Sequence, residues 1–252
     1  MAPGHYFNFG LSYCLKRALN SNRFFRMRKD HVDLLIGIDG TPTAKSTCEE
    51  FWPIVGQLKG VGNGRTFVIG IYWGPSKPLQ SNDLLKEFVL ECNAIKRNGL
   101  NHRGVNIKVN WIGITCDAPA RAYCKYCKGN TGYSSCGRYT VKGQYDNSVV
   151  FIDIRCPRRT NASFRARDDE EHHIGRSVLE DLIGFDMVKN FPLGVVRKFM
   201  NSLTIGTYYQ VKLDFRQVKE ISSRLETISA NLPREYQRKP RSLRELARYK
   251  AQ

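Results

Sequence analysis

Two aspartates carry the first chemical possibility in this chain. Asp117 closes an apolar strand pattern in Ile114-Thr-Cys-Asp-Ala-Pro-Ala-Arg121, and Asp39 closes another in Leu35-Ile-Gly-Ile-Asp-Gly-Thr-Pro42. Carboxylates at the tips of neighbouring strands can hold divalent ions about 3.5–4 Å apart, clamping the attacking and leaving oxygens of phosphoryl transfer. Carboxylate and water ligands suit Mg2+ or Mn2+. Each aspartate also has a plainer reading. Asp-Gly is a favoured turn signal, and Asp-Ala-Pro can end a strand and cap a helix.

A second candidate is sulfur-based. Cys124-Lys-Tyr-Cys127 has the two-residue gap that lets two sulfurs reach one tetrahedral Zn2+, with Cys136 nine residues later and Cys116 eight before Cys124. His172-His173 can complete such a site. A second Cys-x-x-Cys is absent, because Cys136-Gly-Arg is followed by Tyr139. Unligated reduced thiols are therefore the alternative.

A third group is basic. Arg234, Arg238, Lys239, Arg241 and Arg244, followed by Arg248 and Lys250, can neutralise phosphates and make nucleic-acid binding salt-dependent. They also fit a solvated helical face balanced by Glu235 and Glu245, or a nuclear import signal. The runs Phe51-Trp52-Pro53 and Tyr72-Trp73-Gly74-Pro75 can stack bases, although strand-flanking aromatics more often pack a core.

Elements must position these groups. The chain has 252 residues, 41% apolar and 25% charged, which is ordinary for a globular protein, and a net charge of +17, which is not. Such an excess seeks polyanions and makes nucleic acid the leading partner class. No run of 18 apolar residues appears, so no membrane-spanning helix is expected. The start, Met-Ala-Pro-Gly-His-Tyr, lacks the regions of a secretory signal. Reduced thiols in the cytosol or nucleus are expected. The residues do not fix an oligomeric state.

Residues 1–31 read as a basic, aromatic arm or helix. Val32 to Ile38 reads as a buried strand, and Pro53 demotes residues 51–55 to an edge strand or turn. Arg65 to Trp73 is a further strand. Leu84, Leu85, Phe88, Val89, Cys92 and Ile95 define a helix capped by Asn82 or Asp83 and stopped by Asn98-Gly99. Val105, Ile107, Val109 and Trp111 alternate as a strand that runs on to Asp117. Residues 118–147 look like a loop-rich, Cys-containing insertion, and 148–154 a strand. Residues 201–252 read as helical and basic, with a capping box at Asp214-x-x-Gln217. The order strand, strand, helix, strand implies mixed α/β architecture.

Read together, these segments resemble the transposases of CACTA-type (En/Spm-like) DNA transposons in their animal form. The likeness rests on Asp39-Gly-Thr-Pro-Thr-Ala-Lys-Ser46, Phe51-Trp-Pro-Ile-Val-Gly56, Gly70-Ile-Tyr-Trp-Gly-Pro-Ser-Lys-Pro78 and Cys116-Asp-Ala-Pro-Ala-Arg121. It continues through Lys128-Gly-Asn-Thr-Gly-Tyr133, Glu170-Glu-His-His173, Asp186-Met-Val-Lys-Asn-Phe-Pro-Leu193 and Arg238-Lys-Pro-Arg-Ser-Leu243. The resemblance implies a ribonuclease H-like core at 32–200 with flanking helices, acidic residues holding Mg2+ or Mn2+, DNA cleavage and strand transfer, and residence in the nucleus. By position, Asp39 and Asp117 look like the first two catalytic acids. An active enzyme would need a third acid such as Asp186, Glu180 or Asp181, and the alternative is that this acid belongs to a segment missing after Leu193 or beyond Gln252.

The chain departs from the family in three places. Cys136-Gly-Arg-Tyr139 stands where relatives have Cys-x-x-Cys, Asn130 stands where they have His, and Leu193 runs directly into Gly194 where they carry a further segment. Family members are also longer, so a truncated or decayed copy is expected. Three readings follow: a transposase-derived protein without catalysis, an active metal-dependent nuclease, or a non-enzymatic DNA- or zinc-binding module.

Overall fold

Val32, Leu34, Ile36 and Ile38 are buried while Asp33, Leu35 and Gly37 alternate with them, which is the period of a strand that presents one face to a core. This strand, β2 (His31–Ile38), lies in the interior of a mixed sheet. The structure is a computed structural model and describes residues 1–20, 30–42, 49–59, 66–129, 131–153 and 155–192, with Lys219 and Ser223. The chain divides into two units, Met1–Pro192 and Leu193–Gln252, and every element named below belongs to the first. The expected helices and basic cluster of the C-terminal part, including Arg234, Arg238, Lys239, Arg241 and Arg244, lie outside the described residues.

The other strands are β1 (His5–Asn8), β3 (Thr41–Pro42), β4 (Glu50–Lys59), β5 (Thr66–Gly74), β6 (Leu100–His102) and β7 (Val105–Thr115). The sheet runs β1-β5-β4-β2-β7-β6, with β3 added to β4. Only the β2–β7 pair is parallel; the others are antiparallel. Helices α1 (Leu11–Asn20) and α2 (Ser81–Asn98) supply the apolar layer on the sheet. Leu84, Leu85, Phe88, Val89, Cys92 and Ile95 of α2 are all buried in the same core as Leu34, Ile54, Ile69 and Ile107. Residues set apart by sequence as an arm thus contribute a strand and a helix to this body. Glu91 of α2 secures them, accepting the Leu11 backbone N–H at 2.5 Å and the Asn8 amide at 2.7 Å.

Four local expectations need correction. Pro53 does not mark an edge, since β4 pairs on both sides. The reason is its register: Phe51 pairs with Thr41 and Ile54 with Ile38, so Pro53 falls in the gap where β2 ends and β3 has not begun. A missing N–H costs little there. Helix α2 starts at Ser81 with Gln80 at its N-cap and no side-chain cap. Asn82 instead ties the helix to a distant segment, donating to the Arg176 carbonyl at 2.9 Å and accepting the Val178 N–H at 2.7 Å. In β7 the alternation breaks where the register against β2 shifts at Leu34/Leu35; Ile107, Val109 and Ile114 are buried, but Val105 is exposed and Trp111 half-buried. The insertion, finally, opens with a helix, α3 (Ala118–Lys125), and the later strand shortens to β9 (Ser148–Val150), paired with β8 (Gln144–Asp146).

Helix α4 (Asn161–Ala166) follows, with Phe164, Leu179, Leu182, Phe185, Met187 and Phe191 extending the core. Among the described residues no helix is long and apolar enough to cross a membrane. Phe88 is the largest α2 side chain in the core and is 1% exposed. Phe88→Ala is expected to lower unfolding free energy by about 3–5 kcal/mol, read from the urea midpoint. A loss below about 1 kcal/mol is incompatible with α2 as a core helix.

Candidate active site

Asp39 and Asp117 arrive at one place because β2 and β7 are adjacent and parallel. Ile36 pairs with Ile114 and Gly37 with Thr115, so two further residues along each strand bring the aspartates level. Adjacent strands lie about 4.8 Å apart. The Thr115 hydroxyl donates to the Ile36 carbonyl at 3.0 Å and holds the two strand ends in register. Asp117 also caps α3, its Oδ1 accepting the Ala120 N–H at 2.7 Å, with Pro119 in the first turn. The cap and the metal-site readings of this residue are compatible, because a carboxylate has a second oxygen.

A clamp holds the other aspartate's turn. A Cβ on Gly40 would lie 2.7 Å from the Trp52 indole, so this ring can pack directly on the backbone only at glycine. Trp52 donates to Glu50 at 2.9 Å and packs on Tyr123 of α3 with ring centroids 5.1 Å apart. The turn after Asp39 is therefore linked to the helix that Asp117 caps. Trp52 and Tyr72 are buried, as core residues are.

Sulfur lies beneath the carboxylates. Cys124 is fully buried and Cys116 is 7% exposed. A hydrogen bond with Cys116, then burial, then the nearby charges of Asp39 and Asp117 hold the Cys124 thiol protonated, well above its ordinary pKa. One turn along α3 from Asp117 stands Arg121, half-buried; its backbone N–H donates to the Asp117 carbonyl at 2.9 Å, and its guanidinium makes no hydrogen bond or ion pair to any described residue. Burial lowers its pKa, Arg138 adds to that, and Cys116 and Asp117 oppose it. Sequence reading passed over Arg121, although its spacing of four from Asp117 was a signal for a shared helix face.

The proposed third acids have other partners. Asp186 Oδ1 accepts the backbone N–H groups of Val188 and Lys189, both at 2.8 Å. Buried Glu180 pairs with Arg167 at 2.6 Å and accepts the Ser177 N–H at 3.1 Å, and Asp181 pairs with Arg176. The segment after Asp186 docks on β7: the Asn190 carbonyl accepts the Ile114 N–H at 2.8 Å, over a glycine, Gly113, with no room for a side chain. Among the described residues no three His, Cys, Asp or Glu side chains group to hold a metal ion. Asp39 and Asp117 are hard oxygen donors that fit Mg2+ or Mn2+ in kind and would supply two ligands.

The cysteine and histidine candidates are divided. Cys124 faces the carboxylates, while the backbone of Cys127 bridges to that of His173. Cys136 is half-buried and its carbonyl accepts from Arg159 at 2.9 Å. His172 Nδ1 lies 2.7 Å from the Ser134 carbonyl. His172 Nε2 and both ring nitrogens of His173 are buried without a partner. Those orphaned nitrogens beside Cys127 are the one feature of the cluster that fits Zn2+. No protein-family model matches this chain, and no curated protein is significantly similar to it.

Substitution separates the two roles of Asp117. Asp117→Ala is expected to lose about 1 kcal/mol of stability with the cap, whereas Asp117→Asn keeps an acceptor and stays near wild type while removing the charge. Thermal melts of both variants check this. The histidines give a pH signature. Burial lowers His172 and His173 from 6.5 to about 4. Between those values the unfolded chain binds more protons, so stability rises with pH across the window and is lost as pH falls through it. In chelator-containing buffer the urea midpoint is expected to drop from pH 6.5 to pH 4, more steeply in wild type than in a His172→Asn, His173→Asn double variant. Equal slopes would remove the histidines as the cause.

Proposed function

We propose that this protein is transposase-derived: a ribonuclease H-like, DNA-binding body that resides in the nucleus and retains two ancestral catalytic acids without completing the metal site. The observation that carries the reading is that Asp39 and Asp117 each follow by two residues the paired Gly37 and Thr115 of adjacent parallel strands, and both charges act on the buried Cys124 thiol. The order of two antiparallel partners, a helix and a returning parallel strand agrees with the fold the motifs imply. The net charge of +17 supports a polyanionic partner.

Catalysis by two metal ions needs enough ligand charge and a fixed geometry, and a site lacking one acid rarely keeps its rate. Asp186, the candidate third acid, uses its Oδ1 on two backbone N–H groups, and among the described residues no third acidic ligand groups with Asp39 and Asp117. Arg121, near Asp117 and without an ion pair to any described residue, supports phosphate contact at the same place. A zinc-binding role is a second reading, favoured only by the orphaned nitrogens of His172 and His173.

Two assays test the proposal together. Fluorescence anisotropy with a labelled duplex is expected to show binding that weakens linearly in log salt, with no sequence preference required. Incubation of supercoiled plasmid with Mg2+ or Mn2+ is expected to leave it intact. Robust nicking that disappears in Asp39→Asn and Asp117→Asn would establish an active nuclease instead, and salt-insensitive or absent DNA binding would sink the reading.

A further inference from the structure

One face of α3 and the residues that follow it line a cavity of about 340 Å3, with Tyr123, Tyr126, Cys127, Lys77, Leu79 and Ile174 among its walls. Leu79 and Ile174 are 72% and 66% exposed, an open apolar rim. Lys77 places its ammonium 5.1 Å from the centroid of the Tyr123 ring. The Tyr123 hydroxyl donates to the Pro78 carbonyl at 2.6 Å, which fixes that ring as a wall.

Tyr126 is the unusual member. It is the C-cap of α3 with φ 53 and ψ 46, the left-handed conformation. Glycine or asparagine is the expected occupant of such a cap, and a bulky side chain there is strained. The chain nevertheless places a tyrosine there and makes room for it. A Cβ added to Gly175 would lie 3.1 Å from the Tyr126 ring, and the Tyr126 carbonyl accepts the Ile174 N–H at 2.8 Å. The Tyr126 hydroxyl bonds to no described residue. Strain held in place by a supporting segment points to a use for the ring.

We propose that this cavity binds one unstacked nucleobase of a single DNA strand, with Tyr126 as the stacking surface and Lys77 as the cation for the adjoining phosphate. The inference rests on the DNA-binding reading above and deepens it by naming the form of DNA. Three observations select a base over an apolar peptide side chain. The walls combine flat aromatic rings with a lysine, the pairing that single-strand sites use. The net charge of +17 favours a polyanion. The cavity also lies on the helix that Asp117 caps, with Pro119 of the first turn in its wall, so a base seated there places its own strand beside the carboxylates.

The test uses the full chain and two fluorescein-labelled strands of about ten nucleotides, one of thymidine and one with abasic sites throughout, in fluorescence anisotropy. Wild type is expected to bind the thymidine strand about 5- to 150-fold more tightly, the range for stacking one base. Asparagine accepts the left-handed conformation, so Tyr126→Asn is expected to melt at or above the wild-type temperature. The same variant should bind both strands equally, while Tyr126→Phe keeps the preference. Lys77→Gln should weaken both strands by a similar factor. Equal wild-type affinity for the two strands, or a preference that survives Tyr126→Asn, overturns the nucleobase site and leaves DNA binding standing. Failure of wild type to bind any oligonucleotide or duplex overturns the DNA-binding reading, and this inference with it.

Discussion

The parallel pairing of β2 with β7 is the constraint on which the rest of the structure depends. Parallel neighbours cannot be joined by a hairpin, so the chain between them has to leave the sheet plane and return. It does so through β4, β5 and α2, and the crossing helix then covers the buried side chains of both strands. The same pairing sets Asp39 level with Asp117. A slip of one residue would reverse the faces of β7 and carry Asp117 out of step. The irregularity at Leu34/Leu35 shifts the register by one residue, and the Thr115 hydroxyl bond to the Ile36 carbonyl holds the strand ends in that shifted register.

From that pairing α3 emerges as the element that joins the functional features. Its first residue is fixed by the Asp117 cap, its middle carries Arg121 and Tyr123, and its end carries Cys124 and Tyr126. Its environment is crowded with positive charge. Lys125 is buried, lies 4.7 Å and 5.4 Å from the Phe164 and Phe191 ring centroids, and is lowered to about 8 by burial first and by Arg121, Arg138 and Arg159 after it. Arg138 and Arg159 are occupied structurally: Arg138 donates to the Val188 and Phe191 carbonyls at 2.6 and 2.8 Å, and Arg159 pairs with Asp169. Arg121 has no such task. The distinction separates cations that hold the fold from one available to a phosphate.

Sequence alone was sufficient where a period or a terminal residue carried the signal. The buried face of α2, the alternation in β2 and the Gly99 stop, with φ 73, are local patterns that tertiary contacts reinforced. Pro53 misled because its tolerance depends on two other strands ending beside it, which no local window contains. Strand β6 escaped notice because three residues are too few for a period; only its Arg103-Gly104 turn, with both φ positive, marks the hairpin with β7. The aspartates were legible as strand-end acids. The isolation of Arg121 and the orphaned histidine nitrogens were not, because lacking a partner is a property of the whole packed chain.

The distribution of locally costly features is itself informative. In the sheet most apolar positions join the core with α1 and α2, while the Tyr6 hydroxyl and the Trp111 indole N–H are buried without a partner. Around α3 a tyrosine takes a left-handed cap, a lysine is buried between aromatic rings, the Arg121 guanidinium pairs with no described residue, and ring nitrogens of His172 and His173 stand unbonded. Each opposes folding, and a sequence selected for stability alone would remove them by single substitutions, such as asparagine at Tyr126. Consistent sequences break local rules where function requires it. Arg121, Lys125 and Tyr126 all lie within ten residues of the Asp117 cap, so one short stretch of chain carries three of these locally costly side chains.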